Sequence, residues 1–145
     1  MRGKCLCGAI EFELLGKPPN LYQCHCSLCR KVTGSSANAA FRIDADRFAW
    51  SAGKEQIREY VTGSGFKSHF CANCGSPVPN LTSNDRAYWI PAGLLEDNGE
   101  LELVAHLYVE SRASWDVIAD AGTKFATMPD AEALDRLLQA SKTVA

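Results

Sequence analysis

The placement of its seven cysteines limits this chain more than any other feature of the sequence. They fall into three clusters: Cys5-Leu6-Cys7, Cys24-His25-Cys26-Ser27-Leu28-Cys29, and Cys71-Ala72-Asn73-Cys74. Two thiols at i, i+2 or i, i+3 lie along one edge of a tetrahedron without straining the backbone, and two such pairs complete a zinc site. Cys7 is followed by Gly8 and Cys74 by Gly75. A glycine after the second ligand permits a positive φ, so the turn can wrap a metal and aim backbone N–H groups at the sulfurs. On this likeness Cys5, Cys7, Cys71 and Cys74 pair as one closed, structural zinc site. Structural zinc contributes roughly 10–16 kcal/mol of apparent folding free energy in small peptides, which a chain this small can depend on.

Cys24, Cys26 and Cys29 remain. Three thiolates leave one corner of a tetrahedron open, as catalytic zinc sites do. Arg30-Lys31 follows this cluster where glycine follows the others. Cationic neighbours lower a thiol's pKa and attract anionic ligands. The cysteine pattern therefore predicts two zinc ions per chain, one closed and one open and reactive. Three other readings compete: metal-free buried cysteines, which the clustering disfavours; disulfides, which the odd number disfavours; and one zinc with a redox-active Cys24, Cys26 and Cys29 cluster.

The chain has 145 residues, 46% hydrophobic and 22% charged, which suits one compact soluble domain over 1–145. The net charge is -2. That balance gives no sign of the basic stripe a nucleic-acid binder carries. No apolar run approaches a bilayer-spanning length, and the basic start Met1-Arg2-Gly3-Lys4 has no apolar stretch behind it. The expectation is a cytoplasmic protein with neither membrane nor nucleic-acid partner. Cysteines in that reducing compartment are more often ligands or catalytic groups than disulfide partners.

Alternation predicts a strand over residues 9–15 (AIEFELL), running into a Gly-Lys-Pro-Pro turn. Residues 27–32 carry a helical turn closed by Gly34. Further strands are expected at 37–43, 56–61, 66–70, 87–90 and 103–109, with turn residues such as Gly53 and Asn98-Gly99 between them. Leu134, Leu137 and Leu138 sit at helical spacing in 131–140, with Asp130 as N-cap. The fold class expected is mainly β, with short strands and small helices.

Several other side chains are candidates. His25 is either an alternative ligand or an outward-pointing residue; the second is preferred because its neighbours occupy the metal side. His69, on the same strand face as Lys67, either lines the site or is half-exposed, and His106 is equally open. Trp50, Trp89 and Trp115 are read as core. Arg30, Lys31, Lys67 and Arg112 can bind a carboxylate, and Arg30 and Lys31 rank first because they sit beside the open site.

The order Cys5-x-Cys7-Gly8, Cys24-His25-Cys26-x-x-Cys29-Arg30-Lys31, and Cys71-x-x-Cys74-Gly75-Ser76-Pro77 resembles the glutathione-dependent formaldehyde-activating enzyme (Gfa) and centromere-protein-V-like family. The later segment from His106 to Trp115 is similar to the family's C-terminal signature. The resemblance spans nearly the whole chain. It implies a zinc-stabilised Mss4-like β-tent of small antiparallel sheets and the same four-plus-three division of cysteines. It also implies a carbon–sulfur lyase that joins a thiol such as glutathione to a small aldehyde such as formaldehyde, an S-(hydroxymethyl)glutathione synthase. Under that reading Cys24, Cys26 and Cys29 carry the catalysis, and Arg30, Lys31 and His25 bind substrate. The alternatives are a zinc-binding interaction module and a redox or zinc sensor. A thiol-induced spectral change at a cobalt-substituted site separates the first from the enzyme; peroxide-driven, thiol-reversible metal release marks the second.

Overall fold

The computed structural model describes residues 1–97 and 99–140, so the turn expected at Asn98 lies outside the described residues. In chain order the elements are β1 (Arg2–Lys4), β2 (Glu11–Leu14), β3 (Leu21–Cys24), α1 (Ser27–Thr33), β4 (Asn38–Asp44), β5 (Phe48–Ala52), β6 (Ile57–Val61), β7 (Lys67–Cys71), β8 (Asn80–Leu81), β9 (Ala87–Pro91), β10 (Leu103–Leu107), β11 (Thr123–Lys124) and α2 (Ala131–Gln139). The fold is mainly β, of small sheets with two short helices, as the sequence predicts. It divides into two compact units, each made of two stretches of chain: Met1–Pro18 with Arg42–Gly99, and Pro19–Phe41 with Glu100–Ala145. No helix among the described residues is long and apolar enough to cross a membrane.

In the first unit, β1, β2 and β5 form an antiparallel sheet in which Gly3 faces Phe12 and Phe12 faces Trp50. The alternation read at 9–15 is real: Phe12 and Leu14 are buried while Glu11 is exposed. Phe12 stacks on Phe48 at 5.5 Å, and Phe48 stacks on Tyr88 at 3.9 Å. Position 3 is glycine because a Cβ there would lie 2.2 Å from Phe12 Cζ. Two antiparallel hairpins complete the unit. β6 pairs with β7, placing His69 opposite Glu59, and β8 pairs with β9.

In the second unit the strand order is β11-β10-β3-β4. β3 and β4 are antiparallel, with Tyr22 facing Ala40 and Cys24 facing Asn38. Among these pairings β10 departs from the expected antiparallel pattern, running parallel to both β3 and β11. Parallel neighbours need a crossover of a dozen or more residues, and residues 108–122 supply one between β10 and β11. β10 also stops short of the expected residue 109. Tyr108 takes φ 56, in the left-handed region, and turns the chain into a 3-10 turn at Val109–Ser111. α2 buries Leu134 and Leu138 and packs against β10. Its N-cap is Asp130, whose carboxylate accepts from the Ala133 N–H at 3.1 Å. Asn20 holds the far end of α2, its backbone N–H donating to Leu138 O and its side-chain amide to Ala140 O.

Candidate functional site

The four-cysteine group lies wholly in the first unit. Cys5 and Cys7 follow β1; Cys71 ends β7, and Cys74 sits in the turn beyond it. Their four sulfurs lie within 4.8 Å of one another. Cys5 Sγ is 3.6 Å from Cys7 Sγ, and Cys7 Sγ is 3.8 Å from Cys71 Sγ. A tetrahedron with metal–sulfur bonds of about 2.3 Å has sulfur–sulfur edges of about 3.8 Å. A disulfide needs about 2.05 Å. The group therefore fits a tetrahedral metal ion.

The two turns are built alike. Gly8 and Gly75 both take φ 76, and each donates its N–H to the carbonyl of the first cysteine of its pair, at 3.0 and 2.8 Å. A side chain other than glycine is disfavoured there. Cys5 and Cys71 are buried with Ile10 and Val78, whereas Cys7 is exposed. Burial pushes the Cys5 thiol up to about 11. The Ser76 side chain, 3.3 Å from Cys74 Sγ, and the Ser76 backbone pull the Cys74 thiol down to about 5. Asn73 lowers Cys7. Ser76 also accepts from the Leu6 N–H at 3.0 Å, so one hydroxyl braces both turns.

The three-cysteine group lies wholly in the second unit. Cys24 ends β3. Cys26 is the N-cap of α1, its sulfur accepting from the Cys29 N–H at 3.3 Å, and Cys29 follows in the first turn. Gly34 closes the helix in the left-handed conformation, as expected. The three sulfurs lie within 4.8 Å of one another, and among the described residues no fourth cysteine, histidine or carboxylate atom joins them. The set fits a metal ion with one position left over. A hydrogen bond from Cys29 pulls the Cys24 thiol down to about 6, while the same contact and burial push Cys29 up.

Arg30 lies in the last turn of α1 and donates from Nη2 to Ser111 O at 3.3 Å. Its Nε is buried without a hydrogen-bond partner. Lys31 is exposed. Lys67 is on β7 in the first unit, and Arg112 bonds back to Val109 O within its own turn.

The structure corrects two expectations. His25 does not point outward: it is 1% exposed, and both ring nitrogens are engaged. Its Nδ1 is 2.8 Å from Asp116 Oδ2, and its Nε2 is 2.9 Å from His106 Nδ1. His106, also 1% exposed, places Nε2 2.9 Å from Asp120 Oδ1. The reason is backbone pairing: the His25 N–H donates to Leu107 O, drawing the ring toward β10 and away from solvent. Trp115 is the second correction. It is 69% exposed, because the inward position of its loop belongs to Asp116. Trp50 and Trp89 are half-buried, against Phe48 and Arg42 respectively. His69 is half-buried and bonded to Glu59 Oε2. Sequence reasoning missed Asp116 and Asp120 altogether: they are isolated acids in an irregular loop, 91 and 14 residues from the histidines they meet.

Comparison with known proteins agrees with this arrangement. The family model described as glutathione-dependent formaldehyde-activating enzyme matches residues 1–111. A protein of Schizosaccharomyces pombe, named an uncharacterized lyase, is 28% identical over 111 residues, covering 76% of this chain and 79% of its own length. A protein of Halomonas elongata, named provisionally as a glutathione-dependent formaldehyde-activating enzyme, is 33% identical over 86 residues; the chain spans only 54% of its length. A crystal structure of a Rhodobacter sphaeroides protein superposes with a TM-score of 0.56 at 27% identity, covering 72% of this chain and all of that one.

Proposed function

The chain belongs to the glutathione-dependent formaldehyde-activating enzyme family, and from that premise we propose that it is a zinc-dependent carbon–sulfur lyase joining a thiol such as glutathione to a small aldehyde such as formaldehyde. The observation that carries this reading is the convergence of Cys24, Cys26 and Cys29 with no fourth ligand atom beside them among the described residues. On this reading Cys5, Cys7, Cys71 and Cys74 hold the structural zinc, giving two ions per chain. A zinc ion held by the three sulfurs would supply Lewis acidity that lowers the pKa of an incoming thiol.

The reaction adds RS–H across a carbonyl. The thiolate electron pair forms the carbon–sulfur bond, the π pair of C=O moves to oxygen, and the proton lost by the thiol ends on that oxygen. Run backward, the carbon–sulfur bond breaks. Cys24, Cys26 and Cys29 would hold the ion and leave one position free for a thiol sulfur. Arg30 holds a carboxylate of the thiol substrate: it follows Cys29 directly on α1, and its guanidinium is anchored on Ser111 O. Charge-assisted pairing of this kind is among the stronger polar contacts. Lys31, exposed one residue on, attracts the same anion.

The test is the rate at which glutathione and formaldehyde approach equilibrium with their hydroxymethyl adduct, followed by NMR exchange with and without protein. Acceleration by the wild type that disappears in Cys26→Ser supports the reading. Equal rates with and without protein, across several thiols and aldehydes, overturn it and leave the sensor or the interaction module.

A further inference from the structure

The chain Asp116–His25–His106–Asp120, two buried imidazoles between a nearly buried carboxylate and an exposed one, is a polar network that the reaction above does not use. Three features make it more than a satisfied pair of core histidines. First, its links are 2.8, 2.9 and 2.9 Å, and both outer links end on carboxylates, the strong class of hydrogen bond. Second, the surroundings are shaped to it. The Gly122 N–H donates to Asp120 Oδ1 at 2.7 Å. A Cβ at Gly122 would lie 2.8 Å from that oxygen and 3.0 Å from the His106 ring. Third, its inner member sits between two of the three converging cysteines. His25 is bonded on both ring nitrogens, and its own N–H is tied to Leu107 O at 2.9 Å. The Cys24–Cys26 stretch thus has its central residue fixed at three points. Cys29 depends on that stretch too, through its N–H on Cys26 Sγ.

We propose that His106 and Asp120, with Asp116, are positioning residues for the three-cysteine site: they clamp the His25 ring so that the Cys24, Cys26 and Cys29 sulfurs converge around one ion and leave its fourth corner free. His106 and Asp120 reach the sulfurs only through His25. Residues 116–120, about ninety residues beyond the ligands in the chain, thereby set the geometry of the site. The matched family residues end at 111, so both carboxylates belong to the part of the chain beyond that match. The hydrogen bonds are geometric in action, so an acceptor of the same shape preserves them. This inference rests on the three cysteines being a metal site only for its metal readout; the backbone readout is independent.

The test compares wild type, Asp120→Ala, Asp120→Asn and His106→Phe as purified. Two quantities are read: the rate of metal transfer to a coloured chelator, and amide hydrogen exchange of the Cys24–Cys29 stretch against the α2 and Cys71–Cys74 stretches. Groups that orient metal-site residues typically tune affinity by about 10–100-fold. Asp120→Ala is expected to release the more labile metal about tenfold faster and to speed exchange at Cys24–Cys29, with α2 and Cys71–Cys74 unchanged. Asp120→Asn, which keeps an acceptor oxygen, is expected within about threefold of wild type. His106→Phe is expected to exceed Asp120→Ala. Unchanged exchange at Cys24–Cys29 in both Asp120→Ala and His106→Phe overturns the proposal. So does a rise spread equally over α2, which marks a merely structural role. A wild type that holds a single metal, with local exchange still raised in Asp120→Ala, sinks the metal reading of the open site and leaves the clamp standing.

Discussion

The two cysteine groups use the same thiols to opposite ends. The closed group is drawn from two turns far apart in sequence, with Cys7 and Cys71 separated by 64 residues. The open group comes from one stretch six residues long, Cys24 to Cys29. An ion in the first joins distant segments, so its binding free energy becomes folding free energy. An ion in the second joins residues that α1 and β3 already bring together, so the fold need not depend on it. Support differs accordingly. The closed group is braced by two glycine turns and by Ser76; the open group is braced by the imidazole–carboxylate chain behind His25. On the proposed reading, closure from afar makes a structural cross-link, whereas a local set would leave a metal corner for chemistry.

The contrast breaks most clearly at the ligands. Cys71→Ser removes a buried sulfur from the cross-link. Structural zinc is worth roughly 10–16 kcal/mol, as much as the whole stability of a typical domain. The first unit is therefore expected not to fold, seen as collapse of NMR dispersion for its residues. A folded Cys71→Ser protein with normal metal content would make the cross-link argument wrong. Cys26→Ser should behave otherwise: one metal lost per chain, adduct formation at the uncatalysed rate, and a change in unfolding free energy of no more than about 1–2 kcal/mol. Global unfolding of Cys26→Ser would erase the distinction between the groups.

Much of this contrast was legible in the sequence. The glycines after Cys7 and Cys74 announced matched turns, and both take φ 76. The Arg30-Lys31 sequel marked the other group as different. The local elements also followed from pattern: Asp130 caps α2 and Gly34 ends α1. The illegible part is the long-range part. The two-residue strands β8 and β11 carry no periodicity to read, and β5 (Phe48–Ala52) mixes Phe48, Trp50 and small residues. The parallel course of β10 depends on a crossover rather than on any property of Leu103–Leu107 themselves. His25 was misread because local reasoning sees its cysteine neighbours and not His106, 81 residues away. Burial of a polar ring requires partners. A histidine between two ligands therefore poses a question of partners that its own segment cannot answer.

A smaller perturbation sharpens the difference between the two cysteine groups. Gly75→Ala forces a Cβ into the left-handed region, though nothing lies within 4 Å of that Cβ. The cost is then conformational alone, about 1–2 kcal/mol. Thermal melts of the metal-loaded protein should show it, with the Cys24–Cys29 stretch unaffected in hydrogen exchange. A loss much larger than this would mean that the turn holds the metal by contacts beyond its backbone shape.

The finest contrast lies in proton affinity within the open group. Cys24 is pulled down to about 6, chiefly by its hydrogen bond with Cys29, and Cys29 is pushed up by that same contact. An ordinary thiol titrates near 8.5. A depressed pKa extends the thiolate to lower pH, so after removal of the labile metal Cys24 should be mostly thiolate at pH 7. Its alkylation by iodoacetamide, read by peptide mass, should rise through a midpoint near 6 and fall away as pH drops below it. Cys29 should stay slow over the same range. Thiolate is the form that binds metal, and protons compete for it. A group holding one thiolate at neutral pH needs to shed fewer protons when the ion arrives, so it can refill after losing its metal. If Cys24 instead titrates like an ordinary thiol, the pair does not share its proton unequally, and the open group's readiness to bind must come from the clamp on His25 alone.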